Sequence, residues 1–394
     1  MRIDTRLAER LKKVKPSSTL AITSKAKKLK SDGLDVINLA AGEPDFDTPD
    51  FVKDSGIEAI RKGFTKYTPT TGIPELKKLI SEKLKKDNSL EYNTKQIVVS
   101  CGAKHSIFNA LFVLLDPKEE VLIPQPYWVS YPEMAYLCSG LPRFIKTLPE
   151  NNFKITTRQL KEQLSSKTKV LILNSPSNPT GCVYSEEELR GIAEICVKNK
   201  IFVISDEIYE KLIYGGLRHV SIAGFNKDIY DLTVTINGLS KSFSMTGWRI
   251  GYLAAAPDIS EAVSRLQDHS TSNPNSIAQK AAVAALSYSG DFFDKIIEEF
   301  EGRRDYCMER LSRMPGIKAV LPQGAFYIFC DISKTGLKSQ DFANRLLEEK
   351  YVGLIPGDGF GMNSYVRISF ATSLEQLKKG MDRLGNFLES VCSI

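Results

Sequence analysis

From Gln96 onward the chain alternates short runs rich in β-branched residues with segments of helical periodicity. The runs are QIVVS, EVLIPQP, KVLILNSP, IFVISDE and DLTVTING, and LAAA after Gly251 is a further candidate. Apolar runs separated by helix-length segments require crossover connections. The alternation therefore predicts βαβ units, an α/β fold, and a mostly parallel sheet buried on both faces. In such a sheet ligands gather beyond the carboxyl ends of the strands. Residues with useful chemistry should stand just after each apolar run, and the sequence places them there.

After QIVVS comes CGAKHSIFNALFVLL, a glycine turn running into an apolar-periodic helix. Free N–H groups and the positive dipole end make Gly102, Ala103 and Lys104 a candidate phosphate cradle, although the GxxxxGK[ST] pattern is absent. After EVLIPQP, Tyr127 and Trp128 offer rings for stacking, with aromatic core packing an equal alternative. After KVLILNSP, Asn178 lies in a turn dense in Asn, Pro and Gly. After IFVIS, Asp206 stands at a strand end with Tyr209 shortly beyond. A carboxylate following an apolar run is costly unless it meets a cation or a protonated ring nitrogen. After DLTVTI, the stretch NGLSKSFSMTGWRIG sets Lys241 in a Ser/Gly-rich turn ahead of Arg249. A lysine among hydroxyls rather than carboxylates can lose its proton and attack a carbonyl cofactor. Taken singly, each residue has a plainer reading as a solvated lysine, a connecting turn or a packed ring.

Composition narrows the partners. The 394 residues, 42% hydrophobic, permit a large core, and the net charge of +6 is spread rather than blocked. Neither nucleic acid nor a membrane is expected as a partner. Seven scattered cysteines without a Cys-x-x-Cys pair suggest a reduced, cytoplasmic compartment and no zinc site. His105, His219 and His269 have no Cys or carboxylate at ligand spacing, so structural roles and no metal are expected. No run of about 18 apolar residues is present to span a bilayer. GDGFG at 357 to 361 does not satisfy GxGxxG. Nearer the start, LDVINLAAGEPDFDTPD breaks into a turn at Gly42 and Pro44, and TKYTPTTGIPELKKLI carries Tyr67 ahead of Pro74 at a helix start.

These pieces belong to a longer series: AGEPDFDTP, KYTPTTGIPELK, CGAK, PYWVSYP, NSPSNPTG, SDEIYE, NGLSKSFSMTGWRIGY, GAFY at 324 to 327 and YVRISFA at 365 to 371. In order and spacing, over nearly the whole chain, the series resembles the class I aminotransferases of the pyridoxal phosphate fold-type I superfamily. The resemblance implies that Lys241 carries pyridoxal 5′-phosphate as a Schiff base and shuttles the substrate's α-proton. It implies that Asp206 pairs with the ring nitrogen, Tyr209 and Asn178 with the ring oxygen, and that Trp128 stacks on the ring. Arg249 and the amides of Gly102, Ala103 and Lys104 would hold the phosphate. Many relatives carry a serine where this chain has Gly238, which leaves Ser240 or Ser242 to supply that hydroxyl. Tyr67 would reach the neighbouring subunit's site, which implies a homodimer. Arg367 looks like the family's carboxylate clamp, completed by Asn178 and the Gly42 backbone. Similar bacterial sequences look as though they read a distal carboxylate with a lysine and nearby hydroxyls, here Lys104 with Ser17, Ser18 and Thr19.

The activity so implied is transfer of the amino group of L-aspartate to 2-oxoglutarate, giving oxaloacetate and L-glutamate by a ping-pong route. The alternatives are an aspartate/glutamate-prephenate or aromatic aminotransferase, a C–S lyase on the same scaffold, or a non-catalytic cofactor-binding regulator. The expected domains are an N-terminal arm with part of the small domain (1–49), a large cofactor-binding domain (50–290) and a smaller α+β domain (291–394). Arg367 and Lys241 would then lie on opposite sides of a cleft that substrate draws closed.

Overall fold

The computed structural model describes residues 8–16 and 18–392, and of residues 18–21 the backbone alone. Ser17 and the side chains of Ser18 and Thr19 thus lie outside the described residues. After a short first strand, β1 (Ile37–Asn38), come β2 (Ile97–Ser100), β3 (Glu120–Gln125), β4 (Leu141–Lys146), β5 (Thr168–Asn174), β6 (Phe202–Asp206), β7 (Thr233–Gly238) and β8 (Gly251–Ala254). The last seven form one sheet in the order β2-β8-β7-β6-β5-β3-β4, in which β8 alone runs against its neighbours.

The apolar runs read from the sequence all form strands of this sheet because both of its faces are covered. Val98 and Ile236 pack against helix Ala103–Leu114, whereas Ile97 and Val99 point to the other face and meet helices Pro74–Asn88 and Ser276–Leu286. The sequence reading did not include β4. Its residues LPRFIK carry a proline and two cations, and only Ile145 among them is buried. An edge strand with one neighbour tolerates that composition.

A second sheet is antiparallel, in the order β12-β13-β10-β9, built from β9 (Lys318–Ala319), β10 (Tyr327–Asp331), β12 (Ile355–Pro356) and β13 (Tyr365–Ser369). Between them β11 (Val352–Gly353) pairs in parallel with β1. Helices Phe292–Ser312, Ser339–Lys350 and Leu374–Cys392 cover this sheet, with Phe329, Phe342 and Phe387 in its core. The same core continues into Tyr209 and Leu212, just beyond β6, so the two sheets share packed side chains. The chain leaving β1 runs beside β13, where the Ser369 N–H donates to the Leu39 carbonyl at 2.8 Å. That path delivers residues 40 to 42 to the ends of the large-sheet strands.

Two glycines permit a close approach at those ends. A Cβ on Gly251 would stand 2.2 Å from the Ala103 nitrogen, and one on Gly102, whose φ is +89°, would stand 2.4 Å from an Arg249 guanidinium nitrogen. The obstacle at Gly251 is backbone, which has no rotamer to move into. Gly251→Ala should therefore destabilise the protein by about 1–3 kcal/mol in urea unfolding. An unchanged midpoint would show that strand and helix start are not in tight contact.

Candidate active site

Three loops at the carboxyl ends of β5, β6 and β7 build the crevice. Lys241 follows β7 and is half-buried, and its Nζ donates to the Gly42 carbonyl at 2.7 Å. It lies 5.9 Å from the centre of the Tyr209 ring and 6.0 Å from that of Phe326, and it forms no ion pair among the described residues. Burial lowers its pKa to about 8, opposed by Glu43 and Asp206 and assisted by Arg367 and Arg249. An amine so placed loses its proton near neutral pH and becomes nucleophilic.

Asp206 ends β6 and is 4% exposed. The Tyr131 hydroxyl donates to its Oδ2 at 2.6 Å and the Ile208 N–H to its Oδ1 at 3.3 Å. Burial nevertheless raises its pKa to about 6, because no cation is paired with it among the described residues. Tyr209 is buried, its hydroxyl sharing a 2.9 Å hydrogen bond with that of Tyr327. Asn174, at the end of β5, organises the turn beyond it. Its Oδ1 accepts the Asn178 N–H at 2.8 Å, and its Nδ2 donates to the Asp206 carbonyl at 2.9 Å.

Arg367 lies in β13 and is 3% exposed. Its two terminal nitrogens donate to Asn178 Oδ1 and to the Ala40 carbonyl, each at 3.0 Å, and its buried Nε has no partner among the described residues. The guanidinium stands 4.2 Å from the centre of the Tyr327 ring. A buried guanidinium with an idle donor and no carboxylate is suited to a carboxylate ligand. The resemblance places the Gly42 backbone in the carboxylate clamp with Arg367 and Asn178; in the structure Arg367 donates to the Ala40 carbonyl, and the Gly42 carbonyl accepts from Lys241.

A second group surrounds the start of helix Ala103–Leu114. Gly102 supplies no side-chain cap, and the N–H groups of Ala103 and Lys104 have no hydrogen-bond partner among the described residues. Arg249 lies alongside, donating to the carbonyls of Thr246 at 2.9 Å and Cys101 at 3.2 Å. An uncapped helix start beside a guanidinium is an anion site. Trp128 meets Tyr131 edge to face at 5.3 Å, and the Lys104 ammonium lies 4.8 Å from the centre of a Trp128 ring. Tyr131 thereby joins the two groups, touching Asp206 with its hydroxyl and Trp128 with its ring. Ser240 and Ser242 are both buried, and Ser242 faces a separate cleft beside Leu239 and Phe243. A Cβ at Gly238 would lie 3.0 Å from the Gly251 Cα and 3.1 Å from the Ile250 carbonyl, which leaves little room for a serine there. Tyr67 takes no part in the crevice and is 91% exposed.

Sequence reasoning missed Tyr131, Tyr327 and Asn174 as contributors. Each lies inside a motif already quoted, and the spacing of Trp128 and Tyr131 at a helix start was the available signal. One expectation needs correction. His219 does meet carboxylates in space, its Nε2 lying 2.8 Å from Glu207 with Glu210 close by, because the loop after Tyr209 folds back. Lys83 pairs with Glu210 there, and Ser221 donates to Glu207, so the carboxylates already have partners.

Residues 34–384 match the family described as "Aminotransferase class I and II". The chain belongs to that family. It is 50% identical over 388 residues to the aspartate aminotransferase of Bacillus sp. (strain YM-2), covering 97% of this chain and 99% of that one. It is 46% identical to the probable aspartate/prephenate aminotransferase of Aquifex aeolicus, covering 98% and 99%. The solved aspartate aminotransferase of Thermus thermophilus with maleate superposes at a TM-score of 0.93 with 40% identity, covering 98% of this chain and 100% of the other. This aminotransferase acts on amino and oxo acids, uses pyridoxal 5′-phosphate, and has the fold-type I architecture. The donors present fit that cofactor: an uncapped helix start with Arg249 for a phosphate, the uncompensated Asp206 for a ring nitrogen, and an amine at Lys241.

The sign of the Lys241 shift makes a testable statement. Its folded-state pKa lies below the ordinary lysine value, so the reactive neutral amine grows as pH rises toward about 8. Stopped-flow capture of pyridoxal phosphate by the apoprotein should accelerate up to that pH and level off above it. A rate that keeps climbing through pH 10 would mean that Lys241 titrates as a solvated lysine.

Proposed function

We propose that this aminotransferase moves the amino group of L-aspartate to 2-oxoglutarate, giving oxaloacetate and L-glutamate in two half-reactions at one site. The observation that carries the reading is the buried Arg367 with an idle donor, in the same crevice as the depressed-pKa amine of Lys241. Pyridoxal phosphate, when bound, supplies an electrophilic carbonyl and an electron-accepting ring. Asp206 would hold its ring nitrogen, Tyr209 and Asn178 its ring oxygen, and Trp128 its face. Gly102, Ala103, Lys104, Ser240 and Arg249 would hold its phosphate.

Arg367 grips the α-carboxylate of the amino acid with its planar fork and so fixes the direction of the Cα–H bond. Lys241 takes the proton from that carbon and delivers one back in the second half-reaction. Asn178, already bonded to Arg367, keeps the fork from rotating. Lys104 reads the distal carboxylate, and the maleate with which the Thermus aminotransferase was solved is likewise a dicarboxylate. A second reading, with prephenate as acceptor, keeps the same donor and also presents two carboxylates. The name of the Aquifex relative favours it.

In this reading the enzyme is a homodimer. Tyr67 is 91% exposed on a loop held from beneath by Gln279 on Thr68 and by Gln267 on the Thr70 carbonyl, as suits a side chain reaching a neighbouring subunit. We assign residues 50–290 to the large domain, 291–394 to the small one and 1–49 to the arm, with substrate drawing Arg367 and Lys241 together. No helix among the described residues is long and apolar enough to cross a membrane, and the seven cysteines are free, in keeping with a cytoplasmic enzyme.

Adding single amino acids without an oxo acid should shift the absorbance of bound pyridoxal phosphate to that of the pyridoxamine form with aspartate and with glutamate. A spectrum unmoved by aspartate would remove it as donor. Lys104→Ala should lower kcat/KM about tenfold for dicarboxylic substrates, the scale of a hydrogen bond to a charged group, and much less for alanine. Equal losses would restrict Lys104 to the phosphate.

A further inference from the structure

Asp206 has one strong partner. The Tyr131 hydroxyl reaches its Oδ2 at 2.6 Å, within the range of an O–H···O⁻ bond, whereas its Oδ1 receives only the longer contact of 3.3 Å from the Ile208 N–H. No other side chain among the described residues donates to this carboxylate. Tyr131 is itself 2% exposed, and Trp128 meets its ring at 81°, so the phenol has little freedom to turn away. We propose that Tyr131 is a positioning residue for the cofactor, its hydroxyl keeping Asp206 ionised and aimed at the ring nitrogen while Trp128 fixes the phenol. The inference rests on the proposed pairing of Asp206 with that nitrogen.

Which form of a buried carboxylate survives depends on what surrounds it. Removing water favours the protonated acid, and a donor hydrogen bond favours the anion. Without the Tyr131 hydroxyl the acid gains, and an acid offers a protonated ring nitrogen no charge to pair with. A purely structural Tyr131 would instead serve only to fill the space between Trp128 and the end of the sheet. Phenylalanine preserves that filling and removes only the O–H.

The test is a double-mutant cycle on cofactor affinity. Pyridoxal phosphate is titrated into the apoprotein of the unsubstituted chain, Y131F, D206N and the double variant, and the Kd is read from absorbance. Y131F should weaken binding about tenfold when Asp206 is present, the scale of a hydrogen bond to a charged group. In the D206N background the same change should cost less than about twofold, since the group it acts through is gone. Equal losses in both backgrounds would mean that Tyr131 only packs, and would overturn the inference. So would unchanged binding by Y131F alone. If D206N itself binds as tightly as the unsubstituted chain, the Asp206 pairing fails, and the role of Tyr131 falls with it.

Discussion

Two ionic side chains, Asp206 and Arg367, lie buried in one crevice, and among the described residues neither forms an ion pair. Asp206 rests on a phenol hydroxyl, and Arg367 rests on an amide, a carbonyl and an aromatic face. Burying either group is costly unless a partner arrives. The fold keeps them apart all the same, because Asp206 is anchored in the large sheet and Arg367 in the small one. Tyr209 and Tyr327, joined through their hydroxyls, belong to the packed layer between the sheets. The deficit is of one cation and one anion, and in the proposed reading a protonated ring nitrogen and an amino-acid carboxylate supply them.

Lys241 depends on the same arrangement. Its amine bonds a backbone carbonyl rather than a carboxylate, and the arginines on either side oppose its charge. In the proposed reading Arg249 belongs to the phosphate cradle and Arg367 to the carboxylate clamp. The groups proposed to bind the anionic ends of cofactor and substrate thus also help to depress the lysine. Binding and nucleophilicity share one electrostatic origin. The glycines at 102 and 251 matter for the same reason, since they let the helix start, β8 and Arg249 converge.

Much of this was legible in the sequence because it is local. A strand covered on both faces reads as an unbroken apolar run, and the residues beyond such runs stand at its carboxyl end. Lys241, Asp206, Asn178 and the Gly102 turn could be placed on that basis, and the order of the motifs indicated Arg367. What stayed hidden depends on contacts between distant segments. Arg367 meets Ala40, His219 meets Glu207 around a folded loop, and Tyr131 meets Asp206 across the sheet. No local period encodes such pairs, because packing of the two sheets decides them. The edge strand β4 was hidden for the opposite reason: with one neighbour it needs no continuous apolar run.

The central claim is that Lys241 is the amine that engages the cofactor carbonyl. It is tested most directly by reducing the holoenzyme with borohydride, digesting it and locating the modified residue by mass spectrometry. The account predicts a phosphopyridoxyl group on the peptide carrying Lys241 and on no other. Stoichiometric label on Lys104 or another lysine, with Lys241 unmodified, would contradict it.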